Sequence, residues 1–258
     1  MDRARVDAYL DRIGADRPAR PDLAGLRALQ GAHLAAVPFE SLSVHLGEPI
    51  VLEPDALVAK LVDRRRGGFC YELNGAFAAL LTALGYRVEL LAARVYQGEA
   101  AGPPFDHLAL RMELDEPWLA DVGFGRFSAG PLRLAERGDQ ADRFGTFRVV
   151  EQGPDLDVSC DGKLQYRLDR RAYALADFAP TCWYQATSPA SPFTRQAMCS
   201  ITTPTGRTTL TAGRLIRTTD ASDRTEQELP TEEEQAAAYR EHFGIALTAA
   251  EVKQLNQR

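Results

Sequence analysis

Cys70 lies in the stretch Arg66-Gly67-Gly68-Phe69-Cys70-Tyr71-Glu72-Leu73-Asn74-Gly75-Ala76-Phe77, where two glycines supply backbone freedom just ahead of an apolar run. Leu73, Phe77, Leu80, Leu81 and Leu84 recur at helical spacing until Gly85, so Cys70 opens a buried helix. First-turn N–H groups and the positive end of the helix dipole favour a thiolate there. A thiolate nucleophile needs a base, and the base needs an acid to orient it. His107, in Phe105-Asp106-His107-Leu108-Ala109-Leu110-Arg111, and Asp121, in Trp118-Leu119-Ala120-Asp121-Val122-Gly123-Phe124-Gly125, follow in that chain order. The trio suits covalent acyl chemistry, with the thiolate attacking, the imidazole moving the proton and the carboxylate fixing the imidazole tautomer.

The elements that must position these residues change character along the chain. Val6, Tyr9, Leu10 and Ile13 form one helical face ending at Gly14. Asp22 caps a second helix with Leu23, Leu26, Leu29, His33 and Val37 near one side, closed by Pro38. Val37-Pro38-Phe39-Glu40 is extended, and a third helix starts near Pro54, carries Leu57, Val58, Leu61 and Val62, and ends in Asp63-Arg64-Arg65-Arg66. That arginine run is a solvated helix end complementing the dipole, unless one member pairs with Glu72 or another buried acid behind Cys70. After Gly85 the period becomes two, and strands are expected over 86–96, 105–114 and 118–123, with a loop over 97–104. Further strand signals lie at 146–150, 156–160 and 165–168, between turns at Gly153-Pro154 and Asp161-Gly162. A Ser/Pro/Thr-rich linker over 187–194 leads to a hairpin turning at Pro204-Thr205-Gly206. Thr231 and Glu234 form a capping box, and a shorter helix follows Thr248.

The β region places a geometric condition on the trio. A two-residue turn at Asp115-Glu116 would set Asp121 opposite Leu110 and His107 opposite Phe124. Alternate residues point to opposite faces, so His107 and Asp121 would then lie on opposite sides of the sheet. The trio therefore requires an odd-numbered connection or a bulge.

Composition narrows the function class. Hydrophobic residues at 45% and charged residues at 26% fit an ordinary globular chain of 258 residues with a sizeable core. A net charge of −6 argues against nucleic acid or an anionic membrane as the main partner. The charged N-terminus, Met1-Asp2-Arg3-Ala4-Arg5, has no apolar signal-peptide core, and no run reaches the length of a membrane span. Cys70, Cys160, Cys182 and Cys199 show neither CxxC pairing nor zinc spacing, which fits a reduced cytoplasm, no metal, and buried thiols at the last three. His33, His45 and His242 are expected to be core or boundary histidines.

The blocks RGGFCYELNG, FDHLALR and LADVGFG, with VPFESLSVHLG before them and SPASPFTR after, resemble the signature segments of the arylamine N-acetyltransferase family. The resemblance implies Cys70, His107 and Asp121 as the triad and acetyl-coenzyme A as co-substrate and acyl donor. The acceptor would be a small arylamine, arylhydrazine or hydrazide. It further implies that Phe39, Phe105, Phe124, Gly125 and Arg126 contact acceptor or coenzyme A. Pro103, Pro104 and Phe105 stand where some relatives have more polar residues. The implied fold is α+β with a cysteine-protease-like Cys-His-Asp core. It has a helical bundle over 1–85, an antiparallel β-barrel-like domain over 86–186 and a C-terminal α/β lid over 187–258. An amide synthase, closing a macrolactam from a carrier-bound acyl chain with the same triad, is the alternative. A hydrolase or transglutaminase-like enzyme shares the Cys-His-Asp order but not the RGGFCYE block. Oligomeric state is not legible, and a homodimer is allowed.

Overall fold

Five helices and one short strand precede the β region in the computed structural model, which describes residues 1–257. They are α1 (Arg3–Ile13), α2 (Leu23–Ala36), β1 (Phe39–Glu40), α3 (Leu42–Leu46), α4 (Pro54–Val62) and α5 (Cys70–Ala83). The Asp2 and Asp22 side chains accept from the N–H groups of Arg5 and Gly25, as capping residues should. Leu73, Ala76, Phe77, Leu80 and Leu81 of α5 are buried on a core that also takes Val6, Tyr9, Leu26, Leu29, Val58 and Leu61 from its neighbours. α5 is apolar around nearly its whole circumference, which makes it the axis of the helical third.

The next nine strands form one antiparallel sheet. They are β2 (Arg87–Gln97), β3 (Ala100–Ala101), β4 (His107–Glu113), β5 (Pro117–Ala120), β6 (Leu132–Arg133), β7 (Gln140–Asp142), β8 (Gly145–Gln152), β9 (Asp155–Cys160) and β10 (Lys163–Tyr173). Their order is β6-β5-β4-β2-β10-β9-β8-β7, with β3 as a short partner of β2. The two edges meet through side chains. Gln140 accepts from the Arg133 N–H at 2.8 Å and donates to the Arg133 carbonyl at 3.0 Å. One residue thus imitates a ladder step and nearly closes a barrel around Phe127, Phe147, Val149, Tyr166 and Leu168.

Last come α6 (Ala179–Thr187), β11 (Met198–Thr203), β12 (Gly206–Thr211), β13 (Arg214–Thr219), β14 (Arg224–Glu228), α7 (Glu232–Phe243) and α8 (Ala249–Leu255). The α+β class and the barrel agree with the sequence-based expectation. Two pairings join strands far apart in the chain: β2 with β10 in the first sheet, and β1 with β11 at the edge of the second, β1-β11-β12-β13-β14, with Phe39 opposite Ser200 and Glu40 opposite Cys199. Leu42 likewise belongs to the C-terminal core, with Leu210, Tyr239 and Phe243. Among the described residues no helix is long and apolar enough to cross a membrane.

Candidate active site

The helix that presents Cys70 is held by close packing and by buried charge. Gly67 and Gly68 have ordinary backbone angles and are needed for space, not freedom. A Cβ on Gly67 would lie 1.8 Å from the Pro38 carbonyl oxygen, and one on Gly68 would lie 2.5 Å from the Glu72 carboxylate. Phe69 is the N-cap and offers no side-chain acceptor, so Glu72 reaches back to the Phe69 N–H at 3.3 Å. The other Glu72 oxygen meets the Lys60 ammonium at 2.6 Å. Burial pushes the Glu72 carboxyl up, and Lys60 opposes that. Alongside, Arg66 pairs with Glu40 at 3.0 Å and with Glu48 at 3.2 Å. Burial alone would raise Glu40, but Lys60 and Arg66 outweigh it and hold the carboxyl low. One arginine of the run is therefore a buried partner, while Glu72 itself belongs to Lys60.

The β4–β5 hairpin meets the geometric condition. Glu113 pairs with Pro117, leaving Leu114, Asp115 and Glu116 as a three-residue connection. This odd number puts Asp121 on the face of His107, and the carboxylate accepts from His107 Nε2 at 2.7 Å. Asp121 has three more donors: Asn74 Nδ2 at 2.8 Å, the Gly123 N–H at 2.9 Å and the Tyr166 hydroxyl at 3.3 Å. Four donors on two oxygens hold the carboxylate in one orientation.

Asp121 takes Nε2, so Nδ1 is the His107 nitrogen left to face the Cys70 thiol. Burial alone would lower the imidazole, but the charge and hydrogen bond of Asp121, then those of Cys70, push it up to about 10. The thiol behaves differently from the expectation drawn from its helix position. Burial pushes Cys70 up, and the His107 hydrogen bond and charge together with the Leu108 N–H only partly counter that. A helix end in a dry site is thus too weak to offset the burial of the thiol.

Cys70 and His107 open into a cavity of about 410 Å³. Phe39, Phe124, Gly125 and Arg126 line it, as do Phe193, Gln185, Met198, Ser200 and Arg207. Phe124 packs edge-on to the His107 ring at 5.2 Å, and Phe39 lies 6.1 Å from Phe193. Phe105 is not brought to this cavity. Its backbone takes a φ of +61°, and its ring packs on Tyr173 and Phe178 at 4.8 and 5.2 Å. Only its carbonyl faces α5, accepting from the Tyr71 hydroxyl at 2.8 Å. Of the other expected residues, His33 is buried and bonds the Tyr9 hydroxyl at 3.0 Å, and His45 bonds the Phe193 carbonyl at 2.9 Å. Cys182 and Cys199 are buried, whereas Cys160 is only half-buried.

Several residues around the site escape sequence reasoning. Asn74 donates to the Leu108 carbonyl at 2.6 Å and to Asp121, and accepts from the Val122 N–H at 2.9 Å. It therefore ties α5 to both arms of the hairpin. The signal was its i+4 offset from Cys70, which puts both on one helix face. Gly123 fits against α5 so tightly that a Cβ would lie 2.7 Å from the Cys70 Cα. Gln185 donates to Asp106 at 2.5 Å and accepts from Ser191 at 2.6 Å, joining α6 to the residue before His107. Tyr166 and Gln185 carried no local signal.

A buried cysteine on a helix end, a barrel histidine bonded to a barrel aspartate and an aromatic chamber over them suit acyl transfer, and the comparisons make the chain an acyltransferase. A family model described as N-acetyltransferase matches residues 22–252. The arylamine N-acetyltransferase of Mycolicibacterium smegmatis is 37% identical over 214 residues, covering 78% of each chain. That of Escherichia coli strain K12 is 32% identical over 253 residues, covering 95% of this chain and 90% of its own. The solved Salmonella typhimurium arylamine N-acetyltransferase superposes with a TM-score of 0.92 at 29% identity, over 99% of both chains. The Mycobacterium marinum arylamine N-acetyltransferase, solved in complex with CoA, gives 0.89 at 29% identity over 98% of both. The chain belongs to the arylamine N-acetyltransferase family.

Proposed function

We propose that this enzyme transfers an acetyl group from acetyl-coenzyme A to the nitrogen of an arylamine, arylhydrazine or hydrazide, in two steps through an acetylated Cys70. The observation that carries the reading is Cys70 beside His107, whose ring is bonded to Asp121 at 2.7 Å, both opening into an aromatic cavity. In the first step the Cys70 sulfur attacks the thioester carbonyl, the imidazolium of His107 supplies the proton, and coenzyme A leaves as the thiol. Thiolate replaces thiolate, so the exchange is nearly balanced. In the second step the acceptor nitrogen attacks the acetyl carbonyl, His107 takes its proton and the Cys70 thiolate departs. Arylamines suit this order because their weak basicity leaves them unprotonated near neutral pH. Asp121 keeps Nε2 protonated throughout, so Nδ1 is always the nitrogen that exchanges with sulfur or substrate.

Phe39, Phe124 and Phe193 provide the faces and edges that seat an aromatic acceptor. The M. marinum relative solved in complex with CoA supports coenzyme A as the donor carrier. The relatives described above are named as arylamine N-acetyltransferases, and no amide synthase stands among them. The reading is tested by intact mass after mixing the protein with acetyl-coenzyme A alone. One acetyl group mapping to Cys70, lost on adding an arylamine and absent in Cys70→Ser, is expected. Transfer by Cys70→Ser at wild-type rate would refute the assignment.

A further inference from the structure

Two arginines, Arg126 and Arg207, and one acid, Asp106, line the cavity over Cys70, and Arg207 has no carboxylate partner there. Arg207, on β12, lines it beside Ser200 and Thr209. The guanidinium donates to Ser200 Oγ at 3.0 Å and to Thr202 Oγ1 at 3.2 Å. Ser200 Oγ is itself bonded to Thr209 Oγ1 at 2.8 Å. All of these partners are neutral. Arg66, Arg143 and Arg167 meet carboxylates, at Glu40, Asp220 and Asp157, and buried Arg12 is capped by the Leu61 and Ala36 carbonyls, whereas the guanidinium of Arg207 has only hydroxyl partners at the cavity wall. The charge felt by Arg207 is instead another cation, Arg126, at the same cavity. Burial, then Arg126, pushes the Arg207 guanidinium down to about 10. A partly buried cation without a counter-charge is unfavourable unless something supplies the charge. An entering oxyanion would do so and would find a fork of N–H donors already held in place by hydroxyls.

We propose that Arg207, with the Ser200 and Thr209 hydroxyls, forms an anion subsite that selects a reactant bearing a carboxylate or phosphate. The inference rests on the acyl-transfer reading of the same cavity. Within it the oxyanion has two sources: a carboxylate on the aromatic acceptor, or the phosphates of coenzyme A. Binding is measured by calorimetry in a Cys70→Ala background, which removes turnover. Each anionic probe is paired with a neutral counterpart: 4-aminobenzoate with 4-aminobenzamide, and coenzyme A with pantetheine. Arg207→Met is expected to weaken one anionic probe by about tenfold or more and leave its neutral counterpart within about twofold. Loss on 4-aminobenzoate assigns the acceptor, and loss on coenzyme A assigns the donor. Arg207→Lys, which keeps the charge but not the planar fork, is expected to lose less on the same probe, and it carries the test if the Met variant does not fold. Unchanged affinity for all four probes, or equal loss within each pair, would overturn the proposal. A wild-type protein that forms no acetyl-Cys70 would instead refute the acyl-transfer reading and leave the calorimetric result standing.

Discussion

Replacing Asp121 by asparagine changes one atom and reverses the hydrogen-bond logic of the site. Asparagine has one acceptor oxygen where the carboxylate has two, while four donors converge on the position. Asn74 and the Gly123 N–H share one oxygen, so the amide nitrogen faces Tyr166 and His107 Nε2. Nε2 must then become an acceptor, which puts the imidazole proton on Nδ1, toward the sulfur it should deprotonate. The energy at stake follows from the imidazole itself. Asp121 and Cys70 lift it from 6.5 to about 10 against burial, worth about 5 kcal/mol at about 1.4 kcal/mol per pH unit. With the carboxylate gone, burial dominates and the imidazole falls below its ordinary value. The thiolate–imidazolium form should become rarer by roughly a thousandfold, in line with the loss from equivalent triad substitutions. Single-turnover acetylation of Cys70, followed by mass, reads this directly, with iodoacetamide alkylation at pH 6–7 as a substrate-free check. Asp121→Asn within about tenfold of wild type in both assays, at an unchanged melting temperature, would refute the reasoning.

The same imidazole makes stability depend on pH. Its folded value lies above its unfolded one, so its contribution is complete below about pH 6.5 and is lost as pH rises toward about 10. Urea midpoints should fall across that window in wild type and fall less in Asp121→Asn; parallel profiles would exclude His107 as the source. Gly123→Ala places a Cβ 2.7 Å from the Cys70 Cα and 3.0 Å from its carbonyl oxygen. It should cost about 1–3 kcal/mol and most of the activity, and a variant as stable and active as the parent would contradict the packing described. Lys60→Met strands the Glu72 carboxylate and should cost about 3–5 kcal/mol, whereas Lys60→Met with Glu72→Leu should recover much of that; chemical denaturation of the three variants tests the pair.

The parts legible in the sequence are those whose cause is local. The caps at Asp22 and Thr231, the short helix after Thr248 and the apolar spacing of α5 are written within a turn or two of the chain. Parity also carried far. Requiring His107 and Asp121 on one face excluded a two-residue turn, and the structure has three residues there. What escaped is set by distance or by weak pattern. α3 has five residues and no side-chain cap bond, and β14 is exposed at every position, so neither shows periodicity. Arg207 and Tyr166 reach the site through strand pairings that no local window contains. Phe105, which the resemblance implies as an acceptor or coenzyme A contact, has a left-handed backbone and packs its ring on Tyr173 and Phe178, outside the Cys70 cavity, a placement no local pattern showed.

The pairing of Phe39 with Ser200 has a consequence for how the molecule is made. Strand β1 leaves the ribosome early, yet its partner β11 lies about 160 residues downstream. Until β11 emerges, Phe39 has no sheet to join, and Phe193 and Met198 are not there to roof the cavity. A nascent chain can complete the helices around Cys70 long before it has a chamber for a substrate. Closing that contact requires a large loop, which slows folding. A chain interrupted in translation short of β11 would therefore carry the nucleophile in an open trough with a bare strand edge beside it, a form suited to aggregation and not to acyl transfer.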